Sequence, residues 1–163
     1  MTDEELRVVI LQKREAEMLK NFQEELERMK PTDDEIAQEF FFSNLSDETR
    51  LADFCFNYFE KIGSVRRGKI EESYDILMIN EKIVCIVEVK YNAHEKDLKK
   101  LERKMRNFKK LFPIYEAYKL YGAIASFHIN DDAKEAALNQ GFFVLQRSGD
   151  LIHTDAAENL MVL

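Results

Sequence analysis

The sequence contains no tryptophan, and only two cysteines, two prolines and five glycines occur among its 163 residues. Cys55 and Cys85 are too few for a disulfide framework, and no Cys-x-x-Cys spacing or Cys/His cluster indicates zinc. The scarcity of glycine and proline excludes collagen-like and low-complexity chains. An apolar fraction of 45% is enough to build a core, so extensive disorder is not expected.

Long apolar runs are also missing. The longest run covers residues 83–87, far short of the roughly 20 residues that a membrane-spanning helix needs. The chain begins with an acidic segment rather than a secretory signal. We therefore expect a cytoplasmic protein without membrane attachment, with one domain and an appendage.

Acidic and basic residues are unevenly distributed along the chain. The net charge is −7, yet residues 61–122 hold 15 basic and 9 acidic residues. The flanking segments are acidic, with net charges of −9 over residues 1–60 and −4 over residues 123–163. Because a local positive field attracts anions even in an acidic protein, the negative total does not exclude nucleic acid as a partner.

Residues 1–30 predict a charged N-terminal helix, because they contain no glycine or proline and Pro31 follows. The apolar positions with coiled-coil spacing are Leu19, Phe22, Leu26 and Met29. Polar residues interrupt this seam. Two interpretations stay open: a solvated helix packed on its own domain, or a helix that pairs with a second copy to form a homodimer.

Residues 31–163 predict a mixed α/β domain in which helices cover a central sheet. Helices are predicted at 33–45, 94–111 and 131–140, and strands at 52–59, 74–79, 83–89, 120–127, 142–146 and 151–153. Residues 63–73 are interpreted as a loop or twisted ribbon. The first of these helices opens with a capping box at Thr32–Glu35, and Ile36, Phe40 and Leu45 are expected on its apolar side. Gly141 is expected to end the last helix.

Three charged residues interrupt the predicted hairpin. Asp75 lies within one apolar strand, and Glu88 and Lys90 lie at the end of the next. Charged residues in such strands are usually paired or bound to a metal. Glu88 and Lys90 are two residues apart and so share a face. A two-residue turn would set Asp75 opposite Ile86, one diagonal step from Glu88.

Two carboxylates and an ammonium group on one sheet face suit a hard divalent cation, Mg²⁺ or Mn²⁺. Such a cation lowers the pKa of a bound water and neutralises charge on a phosphate. The lysine would orient that water or stabilise developing negative charge. The alternative is a buried salt-bridge cluster without a ligand.

Asp75, followed by Glu88-Val89-Lys90 on the next strand, resembles the D…(D/E)xK signature of the PD-(D/E)xK nuclease superfamily. Tyr74 stands where the signature has its proline. The stretch YDILMINEKIVCIVEVKYNAH, followed by NFKKLFPIY and IASFHIN, resembles small bacterial proteins that carry a charged N-terminal helix before such a domain. The resemblance covers roughly residues 31–154.

This resemblance implies a restriction-endonuclease-like fold, with a central mixed sheet flanked by helices in the core order α-β-β-β-α-β. The metal ligands that it implies are Glu39, Asp75, Glu88 and the backbone carbonyl of Val89. It also implies that Lys90 is the catalytic base or positions the attacking water. Lys100 and Lys104 are alternatives for a further site residue on the helix after the motif.

Basic residues on both sides of the motif are candidates for phosphate contacts. They are Arg66, Arg67 and Lys69 before the motif, and Lys96, Lys99, Lys100, Arg103 and Lys104 after it. Such a charge run is usually a solvated face. Beside a metal site it would hold phosphates, and binding would then depend strongly on salt.

The sequence and its resemblance together predict metal-dependent phosphodiester hydrolysis by an endonuclease or exonuclease, and the resemblance implies DNA as the substrate. The alternative is a catalytically silent protein of nuclease fold that binds a partner through its N-terminal helix. The intact set of Asp75, Glu88 and Lys90 favours the enzyme.

Overall fold

The computed structural model describes residues 2–163, and the chain divides into two compact units, of which the first ends at Thr32. Most of this first unit is helix α1, Asp3–Met29. The Thr2 hydroxyl accepts the Glu5 N–H, and the Glu5 carboxylate accepts the Thr2 N–H. This capping box satisfies two amides that would otherwise lack partners at the start of the helix.

Helix α1 confirms the helix predicted for this segment, and within the described part of the first unit none of its side chains is buried. Its exposed large apolar side chains are Leu6, Val8, Val9, Ile10, Leu11, Met18, Leu19, Phe22, Leu26 and Met29. Most helical stability in proteins comes from packing an apolar face rather than from propensity. A helix with this much exposed apolar surface therefore lacks the packing that usually stabilises it.

The second unit, Asp33–Leu163, contains three long helices, a 3-10 turn and eight strands. In chain order they are α2 (Asp33–Glu48), β1 (Arg50–Leu51), β2 (Phe54–Cys55), β3 (Tyr58–Arg67), β4 (Ile70–Ile79), β5 (Ile83–Ala93), α3 (Glu95–Leu111), the 3-10 turn (Pro113–Tyr115), β6 (Lys119–Ile129), α4 (Asp131–Gln140), β7 (Phe143–Ser148) and β8 (Leu151–Asp155). Among the helices of the described residues, none combines the length and the apolar character that crossing a membrane requires.

Six strands form one mixed sheet in the order β3-β4-β5-β6-β7-β8. The three central strands β5, β6 and β7 are parallel, and the other neighbouring pairs are antiparallel. Strands β1 and β2 pair separately. With the separate β1–β2 pair set aside, the order of elements from α2 to β6 confirms the predicted core order, and the central mixed sheet with flanking helices is confirmed as well.

The two faces of the sheet carry separate buried clusters. On one face α2 packs with Ala37, Phe41 and Leu45 turned inward. On the other face lie α4 and α3, and the buried apolar stripe of α3 is Leu98, Leu101, Met105, Phe108 and Leu111. This spacing defines one helix face and confirms the helix predicted at 94–111. On α2 the predicted apolar side is wrong in part, since Ile36 is exposed and Phe41 rather than Phe40 is fully buried.

Of the two alternatives for residues 63–73, the ribbon is correct and the loop is not, because β3 and β4 continue through them as a paired ribbon. Gly63 and Gly68 have φ values of +87° and +63°, a region that glycine enters without steric cost. Gly63 occupies an irregular position within β3, and Gly68 lies in the turn to β4. The strand predicted at 52–59 is also corrected: β2 covers only two residues, and β3 begins at Tyr58.

The turn between β4 and β5 is longer than the two residues expected. Ile79 stands opposite Val84, and the Asn80 side chain accepts the N–H groups of residues 82 and 83. The register is therefore shifted by two residues, and Leu77, not Asp75, stands opposite Ile86. Because the shift is even, each side chain keeps the face predicted for it.

Gly141 ends α4 in the left-handed conformation, with φ at +96°, as its position in the sequence predicts. The C-terminal segment then packs over this turn. Met161 N donates to the Gly141 carbonyl, and Leu163 exchanges two backbone hydrogen bonds with Leu120, each at 3.0 Å. The end of the described chain is thus fixed to the start of β6.

Candidate active site

Strands β4 and β5 come apart beside Asp75. Their ladder stops at Ile76 opposite Val87. Beyond it, Asp75 Oδ2 accepts the Val89 N–H at 2.8 Å, and Oδ1 accepts from Gln38 Nε2 at 3.2 Å. The carboxylate therefore replaces a backbone acceptor between the diverging strands, where a buried amide needs a partner.

Glu88 is the next residue along the diverging part of β5, and it is only 3% exposed. Both of its carboxylate oxygens accept from Lys104 Nζ on α3, at 2.9 and 3.0 Å. The Lys104 side chain is itself buried. This buried ion pair joins the sheet to α3, and removing either partner would leave an uncompensated charge away from water.

Lys90 lies two residues beyond Glu88 on β5. Its Nζ is 3.9 Å from Asp34 Oδ2, while Asp34 Oδ1 accepts the Tyr91 N–H at 2.8 Å. Asp34 is thus held in place by the backbone of β5, but its contact with Lys90 is at the outer limit of an ion pair. The Lys90 side chain is partly exposed, so its ammonium group is accessible to a ligand.

Burial raises the pKa values of both carboxylates. For Asp75 burial is the main cause, and the Val89 N–H and nearby ammonium groups oppose it. For Glu88 burial and the Asp75 carboxylate raise the pKa to about 7, although the Lys104 ammonium acts in the opposite direction. Two anions this close together and this far from water are stabilised by added positive charge.

Asp75, Glu88, Lys90 and Lys104 line one cleft of about 480 Å³, which we call the carboxylate cleft. The remaining lining residues are Ser64, Glu71, Glu72, Ser73, Lys100 and Arg103. The structure therefore brings the three motif residues together with both helix lysines that the sequence left as alternatives. Lys104 is in contact with Glu88, whereas Lys100 is exposed at the rim.

A third carboxylate, that of Glu72, fixes the rim of the carboxylate cleft. Arg103 Nε donates to Glu72 Oε1 at 2.8 Å and Nη2 donates to Oε2 at 3.0 Å, while Asn107 Nδ2 donates to Oε1 at 3.0 Å. Burial would raise the pKa of Glu72, but these hydrogen bonds outweigh it and lower the pKa. The guanidinium of Arg103 is thereby held at the cleft while staying half exposed.

Glu39 is not brought to this cluster. Its carboxylate is exposed and is paired with Lys61 of β3. The α2 residue that contacts Asp75 is Gln38, so the expectation that Glu39 shares the site is corrected by the placement of its side chain. Among residues 2–163, no three His, Cys, Asp or Glu side chains gather in a way that could hold a metal ion.

The other basic candidates lie outside the carboxylate cleft. Arg66 and Arg67 are exposed at the end of β3, and Lys69 is exposed in the turn that follows. Lys96 and Lys99 are exposed on the first turns of α3. Their contacts with phosphate, and a metal contact of the Val89 carbonyl, stay predictions.

Three residues of the site were missed at the level of sequence. Gln38 and Asp34 belong to the polar start of α2, where the sequence pattern predicts a capping box but no contact with the sheet. Glu72 lies in the segment interpreted as a loop or twisted ribbon. A usable signal for Glu72 is its spacing from Tyr74, since both face α3: Tyr74 Oη donates to the Lys104 carbonyl at 2.7 Å.

No protein-family model matches this chain, and no curated protein matches it. Among solved structures, the chain is similar to one described as the structure of an EndoMS–dsDNA2 complex, with a TM-score of 0.49 and 12% sequence identity. The similarity covers 74% of this chain and 46% of that chain. The chain thus matches less than half the length of this solved structure.

Proposed function

We propose that this protein hydrolyses phosphodiester bonds of nucleic acid, with DNA as the substrate, in a reaction that requires Mg²⁺ or Mn²⁺. One observation carries the proposal: Asp75, Glu88 and Lys90 meet in a single cleft where β4 and β5 diverge. Buried carboxylates with shifted pKa values, set beside lysines in a cleft, are typical of catalytic sites. The resemblance of the motif to the PD-(D/E)xK superfamily supports the choice of substrate.

The donor set fits a hard divalent cation. Mg²⁺ is commonly held by one or two carboxylates, with water and substrate phosphate completing its coordination. Asp75 and Glu88 would hold the ion here, and its positive charge would offset the burial that raises the pKa values of both carboxylates. When bound, such an ion lowers the pKa of a coordinated water and neutralises phosphate charge.

The protein's own groups supply the rest of the chemistry. Lys90 is placed to stabilise negative charge that develops on the phosphate or to orient the attacking water. Arg103, held by Glu72, offers its exposed guanidinium N–H groups to a neighbouring phosphate. Lys104 neutralises Glu88 and keeps its carboxylate fixed on β5.

The test is cleavage of supercoiled plasmid and of single-stranded DNA with Mg²⁺ or Mn²⁺. We expect Asp75→Asn and Lys90→Ala to lower the rate by on the order of 10²–10³-fold, as removal of one preorganised electrostatic group does. Asparagine is chosen because its side-chain oxygen still accepts the Val89 N–H. Lys110→Ala, an exposed lysine of α3 outside both the cleft and the set of predicted phosphate contacts, is the matched control.

Cleavage that both variants and a chelator abolish would support hydrolysis at this cleft. Equal cleavage by wild type and both variants, or cleavage that survives the chelator, would show that the reaction belongs elsewhere. A wild type that cleaves nothing would contradict the proposal.

A second function is favoured by the exposed apolar stripe of α1, formed by Leu19, Phe22, Leu26 and Met29. The chain would then be a scaffold that pairs through this helix, and the carboxylate cleft would have no catalytic activity. The contact of Lys104 with both Glu88 oxygens favours the same function, since the carboxylate already has a cation partner. Two copies joined in this way would also give an active enzyme two clefts. The cleavage assay separates the scaffold from the enzyme.

We expect the full chain to sediment as a homodimer at micromolar concentration, because pairing would bury the exposed stripe of α1. Phe22→Glu, which places a charge on the stripe, should give a monomer. Asn21→Glu introduces the same charge one residue away, on a side of the helix without the stripe, and should stay dimeric. A wild type that sediments as a monomer would exclude pairing through α1.

A further inference from the structure

A second cleft, of about 530 Å³, opens at the carboxyl ends of the parallel strands β5, β6 and β7. The side chains that matter here are Asn92, His94, Phe127, His128, Asn130 and Gln146. We call it the amide cleft. It has no part in the chemistry described above, and none of its residues was a predicted site residue.

The amide cleft continues the carboxylate cleft along one strand. Asn92 follows Glu88 and Lys90 on β5, two residues beyond Lys90. At a rise of about 3.3 Å per residue, Asn92 lies about 7 Å beyond Lys90 along the strand. A strand of nucleic acid with one phosphate at Lys90 would therefore reach the amide cleft with an adjacent nucleotide.

The walls of the amide cleft are fixed in place. Ser126 Oγ accepts the Ala93 N–H at 3.1 Å and donates to the His128 carbonyl at 2.7 Å, which ties the ends of β5 and β6 together. The Phe127 ring is held from behind by the Phe40 ring at 5.3 Å and by Arg147 Cζ, 4.6 Å from the ring centroid. The site needs little rearrangement to accept a ligand, which favours binding.

The Tyr91 ring supports this wall from outside the cleft, because its centroid lies 5.4 Å from that of Phe127 and 5.1 Å from that of His128. The aromatic side chains that line the cleft itself are Phe127 and the two histidines, His94 and His128. A planar ring can stack on such a wall, and base–aromatic stacking is largely independent of sequence.

The polar groups of the amide cleft suit a neutral ligand that both donates and accepts hydrogen bonds. No described residue hydrogen-bonds the side-chain amides of Asn92 and Gln146, whereas Asn130 Oδ1 is engaged by the Ala133 N–H at 2.7 Å. An amide presents a donor beside an acceptor, which is the pattern that asparagine and glutamine use on the edge of adenine.

An anion is a poor fit for the amide cleft. Among the described residues that line it there is neither lysine nor arginine. The helices that begin beside it, α3 and α4, carry acidic first turns with Glu95 and Asp97, and with Asp131 and Asp132. These carboxylates offset the positive potential of the helix N-termini. The carboxylate cleft, lined by four basic residues, is the place for phosphate.

We propose that the amide cleft binds one unpaired nucleobase, with adenine preferred, of the same strand whose phosphodiester lies in the carboxylate cleft. The assignment rests on the proposed function for its choice of ligand. It adds a site that reads the base beside the scissile bond, where Asn92 and Gln146 hydrogen-bond the base edge and Phe127 lies against its face.

The test measures binding by fluorescence anisotropy in the presence of EDTA, so that no cleavage is needed. The probes are a labelled 12-nucleotide oligo-dA and a labelled strand of the same length made of abasic units. We expect Asn92→Ala to weaken oligo-dA binding by roughly tenfold, the loss of one side-chain contact to a base edge. Binding of the abasic strand should stay unchanged.

Asn139→Ala is the matched control, because Asn139 is an exposed asparagine on α4 outside the cleft. Gln146→Ala provides an independent second variant and should show the same selective loss. Equal weakening on both strands, or wild-type affinity that is the same for oligo-dA and abasic strand, would overturn the proposal. So would a failure to bind either strand.

The two proposals fail in distinguishable ways. Base-dependent binding in EDTA by a protein that cleaves nothing would overturn hydrolysis and support the amide cleft. Cleavage that proceeds at all bases alike and is unaffected by Asn92→Ala would support hydrolysis and overturn the amide cleft.

Discussion

Replacing Lys104 by methionine is expected to lower the free energy of unfolding at pH 8 by about 3–5 kcal/mol, the usual cost of removing one partner of a buried ion pair. The methionine fills much of the space of the lysine stem but leaves Glu88 without its cation. Since Glu88 is almost fully buried, water cannot replace the ammonium group as the partner of its carboxylate. Urea unfolding followed by circular dichroism measures the loss.

The loss of stability caused by Lys104→Met should be smaller at low pH. Glu88 has a pKa of about 7 in the folded chain, above the ordinary value of 4.5. The folded state therefore binds a proton more readily than the unfolded state, and this contribution is fully present below about pH 4.5 and is lost as the pH rises to about 7. Without Lys104 the pKa of Glu88 rises further. At pH 5 the carboxyl is then neutral in both proteins, and their stabilities should approach each other.

Lys100→Met is the matched control, because Lys100 lies on the same helix at the rim of the same cleft but is exposed. It should change stability by less than about 1 kcal/mol. If Asp75 and Glu88 can hold a divalent cation, millimolar Mn²⁺ should restore part of the stability of the Lys104→Met variant. A variant as stable as wild type at pH 8 would show that Glu88 is not a buried anion.

The second large effect is expected at Gly141, where alanine should cost about 3 kcal/mol of stability. Two causes add. The φ of +96° strains any side chain by about 1 kcal/mol, and a Cβ would lie 2.4 Å from Met161 N and 2.8 Å from the Asn159 carbonyl oxygen. Those are backbone atoms, so the C-terminal segment must move, at a cost of about 1–3 kcal/mol.

Gly149→Ala separates the two causes. Gly149 also has a positive φ, +62°, but an added Cβ would meet nothing within 4 Å. This variant should therefore lose only about 1 kcal/mol of stability. Displacement of the C-terminal segment should also speed hydrogen exchange at the Leu120 amide, which donates to Leu163. Equal losses in the two variants would show that the contact over Gly141 carries no energy.

The parts of the fold with strong periodicity could be predicted from the sequence. The apolar stripe of α3 fits only the spacing of a helix, and the apolar run of β5 fits only a buried strand. The sequence therefore predicts α3 and the β4–β5 hairpin to within a few residues. The convergence of Asp75, Glu88 and Lys90 followed from side-chain parity. The predicted faces are correct although the turn is longer than expected, because the turn held by the Asn80 side chain is longer by an even number of residues.

The parts of the site that depend on helix rotation could not be predicted in the same way. Three successive phenylalanines, residues 40–42, do not indicate which side of α2 faces the sheet. Only Phe41 of the three is fully buried. A rotation of one residue decides whether Gln38 or Glu39 reaches Asp75. The pairing of Lys104 with Glu88 depends on how α3 docks on the sheet, which no local pattern encodes.

The hydrogen bond from the Val89 amide to Asp75 bears on how such chains change over generations. A chain that stopped cutting nucleic acid would still need an acceptor at position 75, because β4 offers Val89 none. Selection for folding alone would thus tolerate asparagine there, but it would resist alanine. In descendants of this sequence, aspartate changed to asparagine at position 75 would indicate lost catalysis in a protein that still folds.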